Sequence, residues 1–345
     1  VAAAAVEPVG IGVVGIEHLH VVELVDGLVA AGCTAVAHAS STDSLAELYG
    51  AWQAASEPLD AEAVVADPRV GLVVVAGVPS ERADVAVAAL RAGKDVLSAK
   101  PGATTVAQLE RIREAVEDTG RRWWVLFSER LANPAVQRAV DLARAGAIGR
   151  LVHVEGVAPH RLSPDERPAW SFDRERSGGI VVDLASHQVD QFLAATGADP
   201  DAVRVVGAAV GSVRDWDAPE RKGFEDVGEL ALAAPGVRGH HRVDFLEPDG
   251  FPTWGDTRLV ITGTDGRIEV RIPVDRDGRQ GATEVRVTDH DGVRLDEERP
   301  EVTWAQDLLA DRADGGERLM SRRHPFDVTG LTLEAAATAA GWGTP

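Results

Sequence analysis

Val9-Gly10-Ile11-Gly12-Val13-Val14-Gly15-Ile16-Glu17-His18-Leu19-His20, VGIGVVGIEHLH, is the stretch whose reading decides the fold of the first part of the chain. Taken literally, Gly10, Gly12 and Gly15 spell G-x-G-x-x-G, the turn that cradles a dinucleotide pyrophosphate. Such a turn must follow a strand and open a helix, because its amides and the helix N-terminus face the phosphates. With Gly10 as the first glycine, the preceding strand would have to be AAAAVEPV, which contains Glu7-Pro8. Proline removes a ladder donor and alanine packs a sheet poorly, so the better strand is Val9 to Val14, with Gly10 and Gly12 inside it. The turn then begins at Gly15, and Glu17 and His20 stand where the second and third glycines belong. A carboxylate about 5 Å from a phosphate charge is repelled by roughly 3 kcal/mol at an effective dielectric of about 20. A bound dinucleotide therefore requires Glu17 to turn away or be protonated, with His18 and His20 able to donate compensating hydrogen bonds.

Outward from that strand, residues 9–127 alternate apolar runs with amphipathic stretches, the pattern of a parallel sheet covered by helices on both faces. Strands are expected at Val9 to Val14, Thr34 to Ala39, Val70 to Ala76, Asp95 to Ser98 and Arg122 to Phe127. Helices are expected at Leu19 to Ala31, Asp43 to Tyr49, Glu81 to Ala92 and Thr105 to Thr119, with Gly32, Gly93 and Gly120 where helix ends favour glycine. After a helix near Pro134 to Ala145 the texture changes to short alternating runs: Arg150 to Val157, Val203 to Val213, Glu229 to Ala234, Val237 to Phe245, Arg258 to Gly263 and Gly266 to Ile272. One helix over Ser177 to Thr196 interrupts them, and Val328 to Ala340 closes the chain. The fold class is α/β: a Rossmann-like, doubly wound domain over residues 1–130, then an α+β domain over residues 131–345 on a largely antiparallel sheet. The closing helix has the option of packing back on the first domain.

Composition narrows the function. The formal net charge of −20 disfavours nucleic acid and anionic membrane surfaces, which require concentrated positive charge. Residues 1–6, VAAAAV, lack the basic start and length of a signal peptide, and no apolar run approaches about 18 residues, so a cytoplasmic protein is expected. The single Cys33 sits in an apolar stretch and reads as a packing residue of a reducing compartment. Lysine occurs only at positions 94, 100 and 222 among the 35 basic residues, so each lysine invites a reason.

Lys100 has one. Ser98-Ala99-Lys100-Pro101 follows a strand, which puts Lys100 at the carboxyl end of the sheet, where open α/β folds bind ligands, and Pro101 holds it extended. An ammonium there can donate to a substrate hydroxyl and stabilise the alkoxide that forms as hydride leaves; a solvated surface lysine is the alternative. In Ser177-Gly178-Gly179-Ile180-Val181-Val182-Asp183-Leu184-Ala185-Ser186-His187, Asp183 and His187 are four apart on a helical pattern and face one side. Histidine can take a hydroxyl proton near neutral pH while the carboxylate orients it or holds a second hydroxyl. An ordinary helix-surface ion pair would use the same two residues. Glu17-His18-x-His20 has metal-ligand residue types in one short cluster only, and no metal site is assigned to it.

The Rossmann half, SAKP, LARAGAIGRLVHV at the domain junction, SGGIVVDLASHQVD and RLVITGTDGRIEV occur in an order that resembles the Gfo/Idh/MocA oxidoreductases, the glucose-fructose oxidoreductase and inositol dehydrogenase family, over roughly residues 9–341. The resemblance implies a nicotinamide cofactor, NAD or NADP, and a sugar, cyclitol or related polyol as substrate. It makes Lys100 and His187 the proton-handling pair, with Asp183 positioning the substrate. The candidate cofactor residues are Gly15, Ile16, Glu17, His18, Ser40, Ser41, Ala76, Pro79 and Lys100, and the candidate substrate residues are Lys100, Arg130, His160, Trp170, Asp183 and His187; Trp170 resembles an aromatic position near the family's substrates but also reads as a core or interface tryptophan, and Arg130 and His160 also read as surface or structural residues. The resemblance further implies a homo-dimer or homo-tetramer through the second sheet. Departures fall on the cofactor side: Ala99 replaces the family's Glu, VPSERA lacks the Asn and His of Pro-Asn-x-x-His, and the second strand ends in Ala39-Ser40-Ser41 without the acid that holds NAD ribose hydroxyls. A redox-inactive sugar-sensing protein, or a sugar lyase or hydrolase with tightly held cofactor, would carry the same departures.

Overall fold

The computed structural model describes residues 9–214, 216, 218–274, 279 and 283–342, which form two compact units: one of residues up to Leu126 plus Thr303–Thr329, the other of Phe127–Val302 plus the residues from Gly330 onward. In the first unit the chain runs β1 (Gly10–Val14), α1 (His20–Ala30), β2 (Thr34–Ala39), α2 (Asp43–Trp52), β3 (Glu57–Pro58), α3 (Ala61–Ala66), β4 (Leu72–Val75), α4 (Arg82–Arg91), β5 (Asp95–Ala99), α5 (Val106–Thr119) and β6 (Trp123–Leu126). The six strands are parallel in the order β3-β2-β1-β4-β5-β6, so the direction of winding reverses between β1 and β4. All four residues of β4 are buried, as a strand covered on both faces must be. Gly10 and Gly12 lie inside β1, and Gly15, at φ +78°, is the glycine that turns the chain. Helix ends follow the local chemistry: the Thr105 side chain accepts the Gln108 N–H at the start of α5, and Gly120 closes that helix in the left-handed region.

The second unit runs α6 (Ser128–Leu131), α7 (Pro134–Arg144), β7 (Leu151–Pro159), α8 (Arg174–Ser177), α9 (Ile180–Leu184), α10 (Ser186–Thr196), β8 (Arg204–Gly211), β9 (Val227–Ala234), β10 (Val237–Asp244), β11 (Thr257–Gly263), β12 (Gly266–Ile272), β13 (Glu284–Asp289) and β14 (Gly292–Asp296). With β15 (Ala340–Gly341) these strands form one sheet, ordered β14-β13-β12-β11-β7-β10-β9-β8-β15. It is antiparallel except where β10 lies parallel to β7 and β15 parallel to β8. Along β10 the residues alternate, with Gly239, His241 and Val243 buried and Arg238, His240 and Arg242 exposed, so one face is covered and the other is charged.

Apart from the short β3, α3 and α6, which the sequence reading did not name, three elements depart most from expectation. The single helix over Ser177 to Thr196 is three pieces, because Gly178 and Gly179 both take positive φ and the chain bends again at Ala185 between α9 and α10. A helix the apolar pattern did not reveal, α11 (Trp304–Asp314), belongs to the first unit: the Trp304 ring covers α1 at Gly27, where a Cβ would stand 2.1 Å from its Cζ2. The closing helix is α12 (His324–Thr338), earlier at both ends than expected, and Phe326 near its start meets the Trp123 ring at 4.9 Å within the first unit.

Burial also sets titration. His241 is enclosed by the sheet, with Gly156 and Gly239 leaving room for its ring, and desolvation lowers its pKa from 6.5 to about 3. The folded chain therefore keeps His241 neutral where the unfolded chain takes up a proton, so this contribution to stability is whole above about pH 6.5 and is lost as pH falls through the window toward 3. Urea unfolding at pH 7, 5.5 and 4.5 is expected to show stability falling by up to about 1.4 kcal/mol per pH unit from this group, and His241→Gln is expected to flatten that slope. An unchanged slope in the variant would place the effect elsewhere, His38, whose pKa is lowered by burial, being the next group.

Candidate functional site

In the first unit, the carboxyl ends of β1, β2, β4 and β5 carry the expected cofactor residues. The Gly15 N–H donates to Ala39 O at 2.9 Å, and the His18 N–H donates to Ala76 O at 3.1 Å, which ties the turn to the ends of β2 and β4. A Cβ on Gly15 would stand 2.3 Å from the Gly77 Cα, so the two backbones touch and only glycine fits at Gly15. The Gly15 and Gly77 backbones, at the switch point of a parallel sheet and followed by α1, form the surface on which a dinucleotide pyrophosphate would lie, with Glu17 Oε2 standing beside both glycines. Glu17 does not hang over the turn unsupported: its Oε1 accepts the Ser41 N–H at 2.8 Å. Ile16 is buried, Ser40 Oγ accepts the Thr42 N–H at 3.3 Å, and the His18 and His20 rings meet edge to face at 4.5 Å. Pro79, also buried, opens a short 3-10 turn ahead of α4.

Lys100, directly after β5, is 3% exposed, which removes the reading as a solvated surface lysine. Its backbone is clamped by a residue that the sequence did not single out. Arg82, 1% exposed, donates from Nη1 to the carbonyls of Ala99 (3.0 Å), Lys100 (2.7 Å) and Pro101 (3.0 Å), and from Nε to Gly77 O at 2.8 Å. One guanidinium thus joins the segment that carries Lys100 to the glycine that packs on the turn. No local sequence signal announces this, since Arg82 opens an ordinary amphipathic helix. Lys94, by contrast, donates Nζ to Asp67 O and Val70 O and holds the loop before β4, a structural reason for that lysine.

In the second unit a cavity of about 510 Å³ is lined by Trp170, Phe172, Asp183, Phe224 and Phe245, with Arg167 and Lys222 on its wall. Gly179 is required beside it: its φ is +82°, and a Cβ there would stand 2.4 Å from Glu225 Oε2, which accepts the first N–H of α9 at 3.1 Å and so fixes the short helix carrying Asp183. The Arg167 guanidinium lies 4.5 Å over the Phe245 ring and donates Nε to Leu162 O; burial lowers its pKa while the Asp183 charge acts against that. An Arg three residues before Trp170 was visible in the sequence, but nothing there said that it faces a cavity.

The remaining candidates are placed differently. His187, 3% exposed, lies at the start of α10, across the Ala185 bend from Asp183 on α9, so the two sit on consecutive helical pieces instead of one helix. Arg130 is engaged by Asp190, Nε to Oδ2 and Nη2 to Oδ1 both at 2.7 Å, a bidentate buried pair that ties α6 to α10. It is absent from the cavity wall. His160 donates its Nδ1–H to Ala158 O of β7 at 3.0 Å, and its ring packs at a tilt against Trp254, centroids 4.7 Å apart, beside Phe245. Trp170 lines the cavity. Among the described residues no group of three His, Cys, Asp or Glu side chains is arranged to hold a metal ion, and no helix is long and apolar enough to cross a membrane.

Known proteins align with both units. Residues 6–127 match the model of an oxidoreductase family with an NAD-binding Rossmann fold, and residues 136–269 match the GFO/IDH/MocA C-terminal domain. A 1,5-anhydro-D-fructose reductase of Ensifer adhaerens is 30% identical over 216 residues, 60% of this chain and 59% of that protein. A levoglucosan dehydrogenase of Pseudarthrobacter phenanthrenivorans is 31% identical over 134 residues, 38% of this chain and 34% of that one. The matched stretches thus span about a third to three fifths of these curated relatives' lengths. The crystal structure of a presumed oxidoreductase from Erwinia carotovora atroseptica SCRI1043 superposes with a TM-score of 0.91 at 32% identity, covering 97% of this chain and all of that one. With both domain models matched in order and a full-length structural relative above 30% identity, the chain belongs to the GFO/IDH/MocA family of oxidoreductases.

Proposed function

We propose that the protein is an NAD(P)-dependent oxidoreductase acting on a secondary hydroxyl, or the corresponding ketone, of a sugar, cyclitol or related polyol. The observation that carries this reading is the cavity in which Trp170, Phe172 and Phe224 stand with the Asp183 carboxylate. Aromatic faces cover the C–H faces of a sugar ring, and a carboxylate accepts from its hydroxyls. Bound at the β1 turn, a nicotinamide cofactor supplies the hydride acceptor. His187 takes the proton of the reacting hydroxyl, Lys100 donates to its oxygen as negative charge develops there, and Asp183 holds a neighbouring hydroxyl. In the reductive direction the same groups return the proton to the carbonyl oxygen. The homologous reductase and dehydrogenases act on compounds of this type, which supports the substrate class.

The reading extends to a homo-dimer or homo-tetramer built on the charged outer face of the second sheet, working in the cytoplasm. Cys33 is consistent with a reducing compartment, since burial pushes its thiol up to about 11 and leaves it an inert packing group. The cheapest test uses the eight tryptophans: NADH and NADPH titrations followed by tryptophan quenching or energy transfer to the nicotinamide. Saturable binding of at least one is expected. No saturable signal up to about millimolar concentration, well above ordinary cofactor affinities, would overturn the proposal.

A further inference from the structure

The end of β2 lacks the acid that usually receives the adenosine ribose hydroxyls, yet a carboxylate is bonded there. It comes from the turn. Glu17 Oε1 accepts the Ser41 N–H at 2.8 Å, just beyond β2, while Oε2 stands 3.1 Å from a Cβ built on Gly15 and 3.2 Å from one built on Gly77. The carboxylate therefore reaches from the end of β2, where Oε1 is anchored, to the crevice between Gly15 beyond β1 and Gly77 beyond β4, where Oε2 stands. No Arg or Lys among the described residues pairs with it, and the loop beside it offers the hydroxyls of Ser40, Ser41 and Thr42 and no cation.

We infer that Glu17 is a cofactor-specificity residue: its carboxylate accepts from the ribose hydroxyls of NAD and excludes the 2′-phosphate of NADP. The residue that looked like damage to the phosphate turn is then a displaced form of the missing acid. Two features of ligand chemistry follow from the position. A diol can donate two hydrogen bonds to one carboxylate, whereas a phosphate has only acceptors and negative charge to present to it. An unpaired carboxylate within about 5 Å of a phosphate, at an effective dielectric of about 20, is repelled by roughly 3 kcal/mol, which is over about a hundredfold in affinity before solvent screening reduces it. The backbone amide of Ser41 holds Glu17 in place without neutralising it, so the preference is built into the fold.

This inference rests on the dinucleotide-binding reading above, and one set of titrations separates the two. Dissociation constants for NADH and NADPH are measured on the full chain, wild type and Glu17→Gln, by tryptophan quenching or calorimetry. Glutamine keeps an oxygen for the Ser41 N–H and removes the charge. The wild type is expected to bind NADH at least about tenfold more tightly than NADPH, and the variant to tighten NADPH at least about fivefold and narrow the ratio accordingly. Equal affinities or an NADPH preference in the wild type, or a ratio that does not move in Glu17→Gln, would overturn the role of Glu17 while leaving dinucleotide binding in place. Failure of the wild type to bind either nucleotide would overturn the dinucleotide-binding reading itself.

Discussion

Replacing Lys100 with Met is expected to lower kcat by about a thousandfold on the polyol substrate proposed above, with NADH affinity and thermal stability close to wild type. The magnitude follows from what is removed. A positioned donor to a developing oxyanion is worth about 10²–10³ in kcat, and a proton-handling group about 10²–10⁴. Methionine fills the space of the lysine stem, so the buried position, 3% exposed, keeps its packing and loses only the ammonium. Steady-state kinetics on a panel of sugars and cyclitols, with a melting curve beside them, reads both expectations. A variant that turns over at near wild-type rate would show that Lys100 is not the group that stabilises the alkoxide, whatever the family resemblance implies.

The second large effect is expected at Arg82. Replacing it with Leu removes a buried cation and strands the carbonyls of Gly77, Ala99, Lys100 and Pro101 that it serves. Breaking such a buried charged network costs about 3–5 kcal/mol. For a unit of this size, that amounts to a fall in melting temperature of roughly 6–20 °C, at about 2–4 °C per kcal/mol. Because the same guanidinium fixes the backbone on which Lys100 stands, kcat at a temperature well below the melting point is expected to fall as well, by about tenfold or more for a displacement of the order of 1 Å. Arg82→Lys separates the two roles. A lysine restores charge, and with it part of the stability, but its single nitrogen cannot reproduce the fork that reaches both Gly77 and the 99–101 segment, so kcat is expected to stay depressed. A lysine variant with wild-type kcat would make Arg82 a stabilising residue only.

The two predictions differ in how legible their residues were. Lys100 could be singled out as a candidate from the chain because the signals that point to it are local: a strand, a following proline and the scarcity of lysine all lie within a few residues or in composition. The decoy at Gly10 and Gly12 could be resolved for the same reason, since the weakness of AAAAVEPV as a strand is a property of eight consecutive residues. Arg82 could not. Its partners lie five residues back and seventeen to nineteen residues ahead, on the far side of α4 and β5, and only the parallel pairing of β4 with β5 brings them together. Arg130 shows the opposite outcome: an arginine expected beside the substrate is committed to Asp190, sixty residues away in sequence.

Helix continuity divides in the same way. Apolar spacing spoke for one helix over Ser177 to Thr196, but a period of 3.6 does not reveal a bend. The positive φ of Gly178 and Gly179 and the turn at Ala185 are held by contacts such as that of Glu225 with the start of α9, from a segment more than forty residues on. Helix α11 escaped notice because its hydrophobic pattern is weak, and its attachment depends on a glycine in α1 that leaves space for Trp304.

By itself the sequence determined the α/β class, the alternation of the first half, the frame of the β1 turn and the order of the family's motifs, because periodicity and turn chemistry are carried by neighbouring residues. Only the tertiary structure decided where the charges are spent: Arg82 on the Lys100 segment, Arg130 on Asp190, Arg167 on the cavity wall, and Glu17 on the amide of Ser41. A long polar side chain reaches partners several ångströms from its own backbone, and chain proximity does not specify which of them the fold will present.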